Sequence, residues 1–281
     1  MKKFFYLLAA AVMLTACAGT KQAASGSKHS FPAVNQDGKT AIAAHRGFWK
    51  CDEAKDSQNS IAALTLAQNN GFWGSECDIH LTKDGEIIVN HDHDIDGLKI
   101  REHTYAELRD HLLKNGEHHP TFAEYLAQTC KAPKTKLVIE FKTQDTPEAE
   151  EQLIQKTITL LKEYGLYSPS RVAFISFSLY TCSRMAVLAP EFVNQYLNGD
   201  IAPAILAQMG INGIDYQYKV LRKHPEWIKE AHDNGMSVNV WTVNKEKDMV
   251  YFMEAGVDVI TTNEPLLLRK VLGDKEFKNA K

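Results

Sequence analysis

Ionisable residues fall at short, regular spacings along this chain. Glu76-Cys77-Asp78 and Glu140-Phe141-Lys142 each set two charged groups one residue apart, and in an extended strand that spacing points both side chains to one face. Three carboxylates gathered in this way, Glu76, Asp78 and Glu140, suit a hard divalent cation, Mg2+ or Ca2+, better than zinc, because hard cations prefer oxygen ligands. Ala44-His45-Arg46-Gly47 places an acid/base candidate beside a guanidinium, and Asn90-His91-Asp92 supplies a second imidazole. Two histidines flanking a metal-bound phosphate allow one to take a proton and the other to give one. Arg46 and Lys142 would neutralise phosphoryl oxygens. That constellation describes phosphodiester cleavage.

Such residues need a scaffold that brings the ends of several strands together. From Thr40 onward, short apolar runs rich in β-branched residues alternate with segments of helical period. The pattern predicts eight strands, over 41–45, 74–80, 137–142, 172–178, 193–198, 212–216, 237–243 and 258–262. Between them it predicts helices such as 60–70 before Gly71, 147–164 capped by Thr146 and 245–255 capped by Asn244. Eight β-α repeats fit a closed (β/α)8 TIM barrel better than an open doubly wound sheet, and barrel enzymes keep their sites at the carboxyl ends of the strands. The candidate residues collect at those ends.

One segment breaks the alternation. Residues 86–90, reached through the turn Lys83-Asp84-Gly85-Glu86, are expected to extend strand two as an antiparallel arm. A small insertion over 95–119 follows, with a capping box at Thr104…Glu107, and a second box at Thr121…Glu124 opens the helix leading to strand three. His93, His103, His111, His118 and His119 enrich this stretch in histidine; their irregular spacing reads as a solvated surface rather than a transition-metal site. Lys245-Glu246-Lys247-Asp248 reads as an exposed first helical turn. Trp241 serves either as a substrate-facing wall or as core packing, and Phe177, Tyr196 and Tyr216 share that ambiguity.

With 281 residues, 44% hydrophobic and 24% charged, the composition is globular and excludes a disordered, collagenous or coiled-coil chain. A formal charge of −3 gives no electrostatic basis for nucleic-acid binding. Lys2 and Lys3 precede the apolar run 4–14 and then Thr15-Ala16-Cys17, the pattern of a signal peptide. At ~1.5 Å per residue the run is too short to cross a hydrocarbon core of about 30 Å. Leu14-Thr15-Ala16-Cys17 resembles the bacterial lipobox, which implies a lipidated Cys17. The chain accordingly divides into a signal peptide (1–16), a lipidated flexible tether (17–39, with Ser25-Gly26-Ser27) and a barrel domain (40–281). The expected location is a bacterial cell envelope, on a membrane and facing the periplasm or exterior. Cys51, Cys77, Cys130 and Cys182 lack any CxxC pair and read as free or partly paired thiols.

Several of these segments together resemble a known family. Ala44-His45-Arg46-Gly47, Gln58-Asn59-Ser60, the run from Gly74 through Glu76-x-Asp78 to Lys83-Asp84-Gly85, Val89-x-His91-Asp92, Glu140-x-Lys142 and Val240-Trp241-Thr242-Val243-Asn244 closely resemble the glycerophosphodiester phosphodiesterase family. The resemblance covers roughly 40–272, and its specificity lies in the order and spacing of the motifs. It implies a (β/α)8 barrel with a small insertion after strand two, a divalent metal on Glu76, Asp78 and Glu140, and His45 and His91 as the catalytic pair. It further implies attack by the substrate's own glycerol hydroxyl on phosphorus, with one histidine assisting and the other protonating the leaving alcohol. A cyclic phosphate is then hydrolysed to glycerol phosphate. Two positions depart from the common pattern. Gln58 stands where many members carry Glu, removing a charge near the metal, and Thr262-Asn263 stands where Thr-Asp is frequent. The expected partner is a small phosphodiester, with Arg46, Lys142 and Trp241 contacting it. Two other readings stay open: a lipoprotein that binds phosphorylated head groups without cleaving them, and a phosphodiesterase for a different phosphoglycerol-containing lipid or polymer.

Overall fold

A computed structural model describes residues 40–279 of the chain, with side chains to Gly273. The expected signal peptide, Cys17 and the tether lie outside the described residues. Strand β1 (Ala41–Ala44) leads through α1 (Ile61–Asn69) to β2 (Gly74–Leu81), which turns back as β3 (Ile87–Val89). The insertion holds a ribbon of β4 (Asp94–Ile95) and β5 (Leu98–Lys99), a 3-10 turn and α2 (Tyr105–Leu108); α3 (Phe122–Thr129) then leads to β6 (Lys136–Phe141). The alternation is regular thereafter: α4 (Pro147–Glu163), β7 (Val172–Ser176), α5 (Leu179–Leu188), β8 (Asn194–Tyr196), α6 (Pro203–Gln208) and β9 (Gly213–Gln217). The last part comprises α7 (Tyr218–Lys223), α8 (Glu226–Asp233), β10 (Ser237–Trp241), α9 (Glu246–Glu254), β11 (Val259–Thr262) and α10 (Pro265–Asn279).

Eight strands run parallel in the order β1-β11-β10-β9-β8-β7-β6-β2, and pairing of β1 with β2 closes the barrel. β3 lies antiparallel on the end of β2, with Ile79 opposite Val89, as the turn at Asp84-Gly85 predicts. Alternate strand residues serve two cores. Outward-facing Cys77, Ile79, Ile139, Phe141 and Phe174 pack beneath Leu153, Ile154 and Leu161 of α4, and complete burial of each large apolar side chain contributes roughly 1.5–3 kcal/mol. Inward-facing Ala43, Val138, Ala173, Ile175 and Val259 fill the barrel itself.

Helix boundaries follow local hydrogen bonds. Thr146 and both Thr-x-x-Glu boxes cap their helices as expected, and Ser60, read as the first helical residue, is the N-cap of α1. Helix α9 differs: its N-cap is Lys245, not Asn244, because Asn244 Oδ1 is taken by the Thr262 hydroxyl and the Asn263 amide. Strand β7 ends two residues short of 178 because Ser178 leaves the sheet to cap α5. The four cysteines of the body are free. His103, His111 and His118 make partly exposed polar contacts, as a solvated surface requires. His119 departs from that expectation: its ring turns inward and its buried Nδ1 has no hydrogen-bond partner among the described residues.

Candidate active site

The mouth of the barrel is shaped first by two residues in left-handed backbone conformation. Arg46 and Asn59 both have φ of 57°, a region that costs a non-glycine residue on the order of 1 kcal/mol and is tolerated where surrounding contacts fix it. The contacts are visible. The Arg46 amide donates to Glu76 Oε2 at 2.8 Å, and Asn59 Nδ2 donates to Asp78 Oδ2 at 2.9 Å. Gly47, at φ +78°, lets this loop lie directly on α1, since a Cβ there would come within 2.8 Å of Ala63.

Three strand residues form the acidic centre. Asp78 of β2 and Glu140 of β6 are register partners, and Glu76 lies one inward position earlier. Ligand oxygens of all three come within 4.8 Å of one another, and all three residues are buried. Burial, then the neighbouring Asp78 and Glu140, pushes the Glu76 carboxyl well above its usual range. Burial and Asp78 together raise Glu140 to about 7, against the pull of Lys142. Burial would raise Asp78 too, but Lys142, His91, Asn59 and Arg46 outweigh it and hold Asp78 low. Lys142 Nζ lies 2.9 Å from Glu140 Oε1 and 3.4 Å from Asp78 Oδ1. Crowded carboxylates at this depth are unfavourable without positive charge, and Glu76 Oε1 is buried without a hydrogen-bond donor. The residues therefore fit a hard divalent cation.

Both predicted histidines reach the same place. His45, just past the end of β1, puts Nε2 4.0 Å from Glu76 Oε2, while its Nδ1 lies 2.7 Å from Asn263 Oδ1. Burial, reinforced by Arg46, lowers its pKa to about 4, so at neutral pH the ring is uncharged. His91 arrives on the arm: the Asn90 amide donates to Asp78 O, and His91 Nδ1 pairs with Asp92 Oδ1 at 2.7 Å. Its pKa is lowered by burial and by Lys142. His45, Arg46, Glu76, His91 and Glu140 line one side of a cavity of about 70 Å³, and Phe177, Leu197 and Trp241 line the other.

A family model described as "Glycerophosphoryl diester phosphodiesterase family" matches residues 44–267, from the start of the His45 loop to the last helix. The chain belongs to this family. It is 31% identical over 246 residues to a glycerophosphodiester phosphodiesterase of Caldanaerobacter subterraneus, covering 81% of this chain and 95% of that one. A crystal structure of a glycerophosphodiester phosphodiesterase from Parabacteroides distasonis is 40% identical, with a TM-score of 0.82 over 85% of this chain and 98% of that one. A phosphodiesterase of Oleispira antarctica, solved with its product sn-glycerol-3-phosphate, is 20% identical and shares the fold at a TM-score of 0.71 over 84% of this chain and 97% of that one.

Within this glycerophosphodiester phosphodiesterase barrel, each departure from the common motif has a local partner. Gln58 Oε1 accepts from Arg46 Nη1, so the amide steadies the guanidinium beside Asp78, where Arg46 Nε stands 3.8 Å from Oδ2. Asn263, to which the sequence assigns no role, holds His45. Trp241 is a cavity wall: its Nε1 donates to Asp215 O and its ring meets Phe177 edge-on. Tyr196 and Tyr216 instead face the helices in the outer core. Lys142 serves both as the ion-pair partner of Glu140 and as a cation beside the triad.

Residues missed at the sequence level include His80 and Asp215. Buried His80 lies beneath the arm, with Nε2 3.4 Å from His91 O and an edge contact to His93; its inward alternation with Glu76 and Asp78 was the available signal. Asp215, on β9 between apolar Ile214 and Tyr216, lines the cavity. A charged residue in an apolar strand was its signal.

Proposed function

We propose that this protein hydrolyses glycerophosphodiesters to sn-glycerol 3-phosphate and an alcohol, using His45 and His91 for proton transfer and a divalent cation, Mg2+ or Ca2+, on Glu76, Asp78 and Glu140. The observation that carries the reading is the convergence of two imidazoles and the Arg46 guanidinium on one small cavity beside a buried carboxylate triad that Lys142 also contacts. The bound cation supplies Lewis-acid stabilisation of phosphoryl oxygen charge.

The chain's own residues divide the remaining work. Asn263 accepts the Nδ1 hydrogen of His45, leaving Nε2 with a free lone pair. That nitrogen takes the proton of the substrate's glycerol hydroxyl as its oxygen attacks phosphorus. Arg46 and Lys142 hold the non-bridging oxygens. His91 is more exposed, at 38% of its side chain, and in its protonated form, which the contact with Asp92 favours, gives a proton to the departing alcohol. Water then opens the cyclic diester: His91 takes the water proton and His45 returns its own to the glycerol oxygen, restoring both rings.

The envelope location and the Cys17 anchor accompany this reading, with deacylated phospholipids as the substrate source. Phosphorus NMR of the products from glycerophosphocholine and glycerophosphoethanolamine tests it. Glycerol phosphate and free alcohol are expected, with loss of both in Glu76→Ala/Asp78→Ala; substrate that persists while bound would move the reading to a head-group-binding lipoprotein.

A further inference from the structure

The barrel interior beside the triad contains a polar chain that the reaction above leaves without a role. Thr261 Oγ1 donates to Asn239 Oδ1 at 3.1 Å, which fixes the amide so that Asn239 Nδ2 donates to Asp215 Oδ2 at 3.1 Å. Asp215 is 1% exposed, and its other oxygen, Oδ1, has no hydrogen-bond partner among the described residues. Leaving a buried polar atom unpaired is costly, and native interiors keep few of them. Here the residue borders the same cavity as His45 and Glu140, so a ligand atom can complete it.

We propose that Asp215 binds the terminal hydroxymethyl group of the glycerol unit and so distinguishes glycerol diesters from diesters of shorter diols. The inference rests on the phosphodiesterase reading. Arg46, Lys142 and the triad fix phosphorus on one side of the cavity, and the alcohol must leave through the open side, where His91 is exposed. The glycerol arm is then the part directed towards the closed end and Asp215. The cavity that Asp215 lines measures about 70 Å³. Burial, with a further push from Glu140, raises the Asp215 carboxyl well above its usual range.

The test compares two diesters with one leaving alcohol: glycerophosphoethanolamine and 2-hydroxyethyl phosphoethanolamine, which keeps the attacking hydroxyl but lacks the hydroxymethyl arm. Wild type should prefer the glycerol diester by ~10-fold or more in kcat/KM, because a site built for a hydroxyl rejects the analogue lacking it. Asp215→Ala should lower kcat/KM on the glycerol diester ~10-fold and change the shorter diester by less than about 2-fold, with Asp215→Asn, which keeps the shape, between the two. Equal losses on both diesters would overturn the proposal by making Asp215 a structural support. So would a loss that disappears when glycerophosphoethanol replaces glycerophosphoethanolamine, since the contact would then be to the amine.

Calorimetry with sn-glycerol 3-phosphate and 2-hydroxyethyl phosphate reads the same contact without turnover. Tighter binding of the glycerol compound in wild type only, by ~10-fold, supports the role of Asp215 even if hydrolysis itself fails. Equal binding of the two compounds to wild type overturns it.

Discussion

Asn263 Oδ1 lies 2.7 Å from His45 Nδ1, a contact between the loop after β11 and the loop after β1 that joins the two ends of the barrel sequence at the site. It sets both the orientation of the ring and which nitrogen is free. Replacing Asn263 by Ala should lower kcat/KM roughly 10-fold or more, as expected when a general base loses its positioning partner, with little change in Tm. Asn263→Asp puts a carboxylate against the ring and favours its protonated form. The acid limb of the kcat/KM profile, set in wild type by a His45 held at about 4, should therefore move to higher pH; an unmoved limb would dissociate His45 from base function.

Gln58 shares a hydrogen bond with Arg46 beside Asp78, so the missing family charge is adjacent to the proposed metal ligands. Gln58→Glu should tighten divalent-cation affinity by roughly 3- to 10-fold, the effect of one added charge at partly screened range. Metal titration of activity measures this directly; weaker affinity in the variant would show that Gln58 acts only through Arg46.

The carboxylates of the triad stand against their mutual repulsion, with Glu76 and Glu140 both raised. A saturating cation at about 100 times its Kd should stabilise the fold by roughly 2.7 kcal/mol, or about 5–10 °C for a domain of this size. Glu140→Gln should raise the Tm of the EDTA-treated protein and diminish the shift produced by Mg2+ or Ca2+. Differential scanning fluorimetry reads both, and an undiminished shift would place the cation elsewhere.

His119 is held to about 4 by burial, with its Nδ1 unpartnered. The folded protein therefore binds fewer protons than the unfolded chain between pH 6.5 and 4. Its contribution is intact above pH 6.5 and stability falls as pH drops through that window, by on the order of 1–2 kcal/mol at pH 5. His119→Gln should flatten this part of the urea-midpoint profile, whereas an unchanged slope would assign it to other groups.

The sequence made the barrel legible because each strand carries its own apolar run and each helix its own cap, signals that survive without knowledge of neighbours. The triad and Lys142 were legible for the same reason: Glu76, Asp78, Glu140 and Lys142 obey strand alternation within motifs. His119 was not, because its burial depends on what another segment places over it. Asn244 shows the limit most directly. Its side chain has the chemistry of a cap, yet Thr262 and Asn263, distant in sequence, occupy it.

The most direct test is turnover of glycerophosphoethanolamine by the EDTA-stripped protein before and after Mg2+ or Ca2+ is restored, with His45→Ala alongside. The account predicts no release of glycerol phosphate from the stripped protein, recovery with the cation, and a loss of roughly 100-fold or more in the variant. Full activity in EDTA, or in His45→Ala, would contradict it.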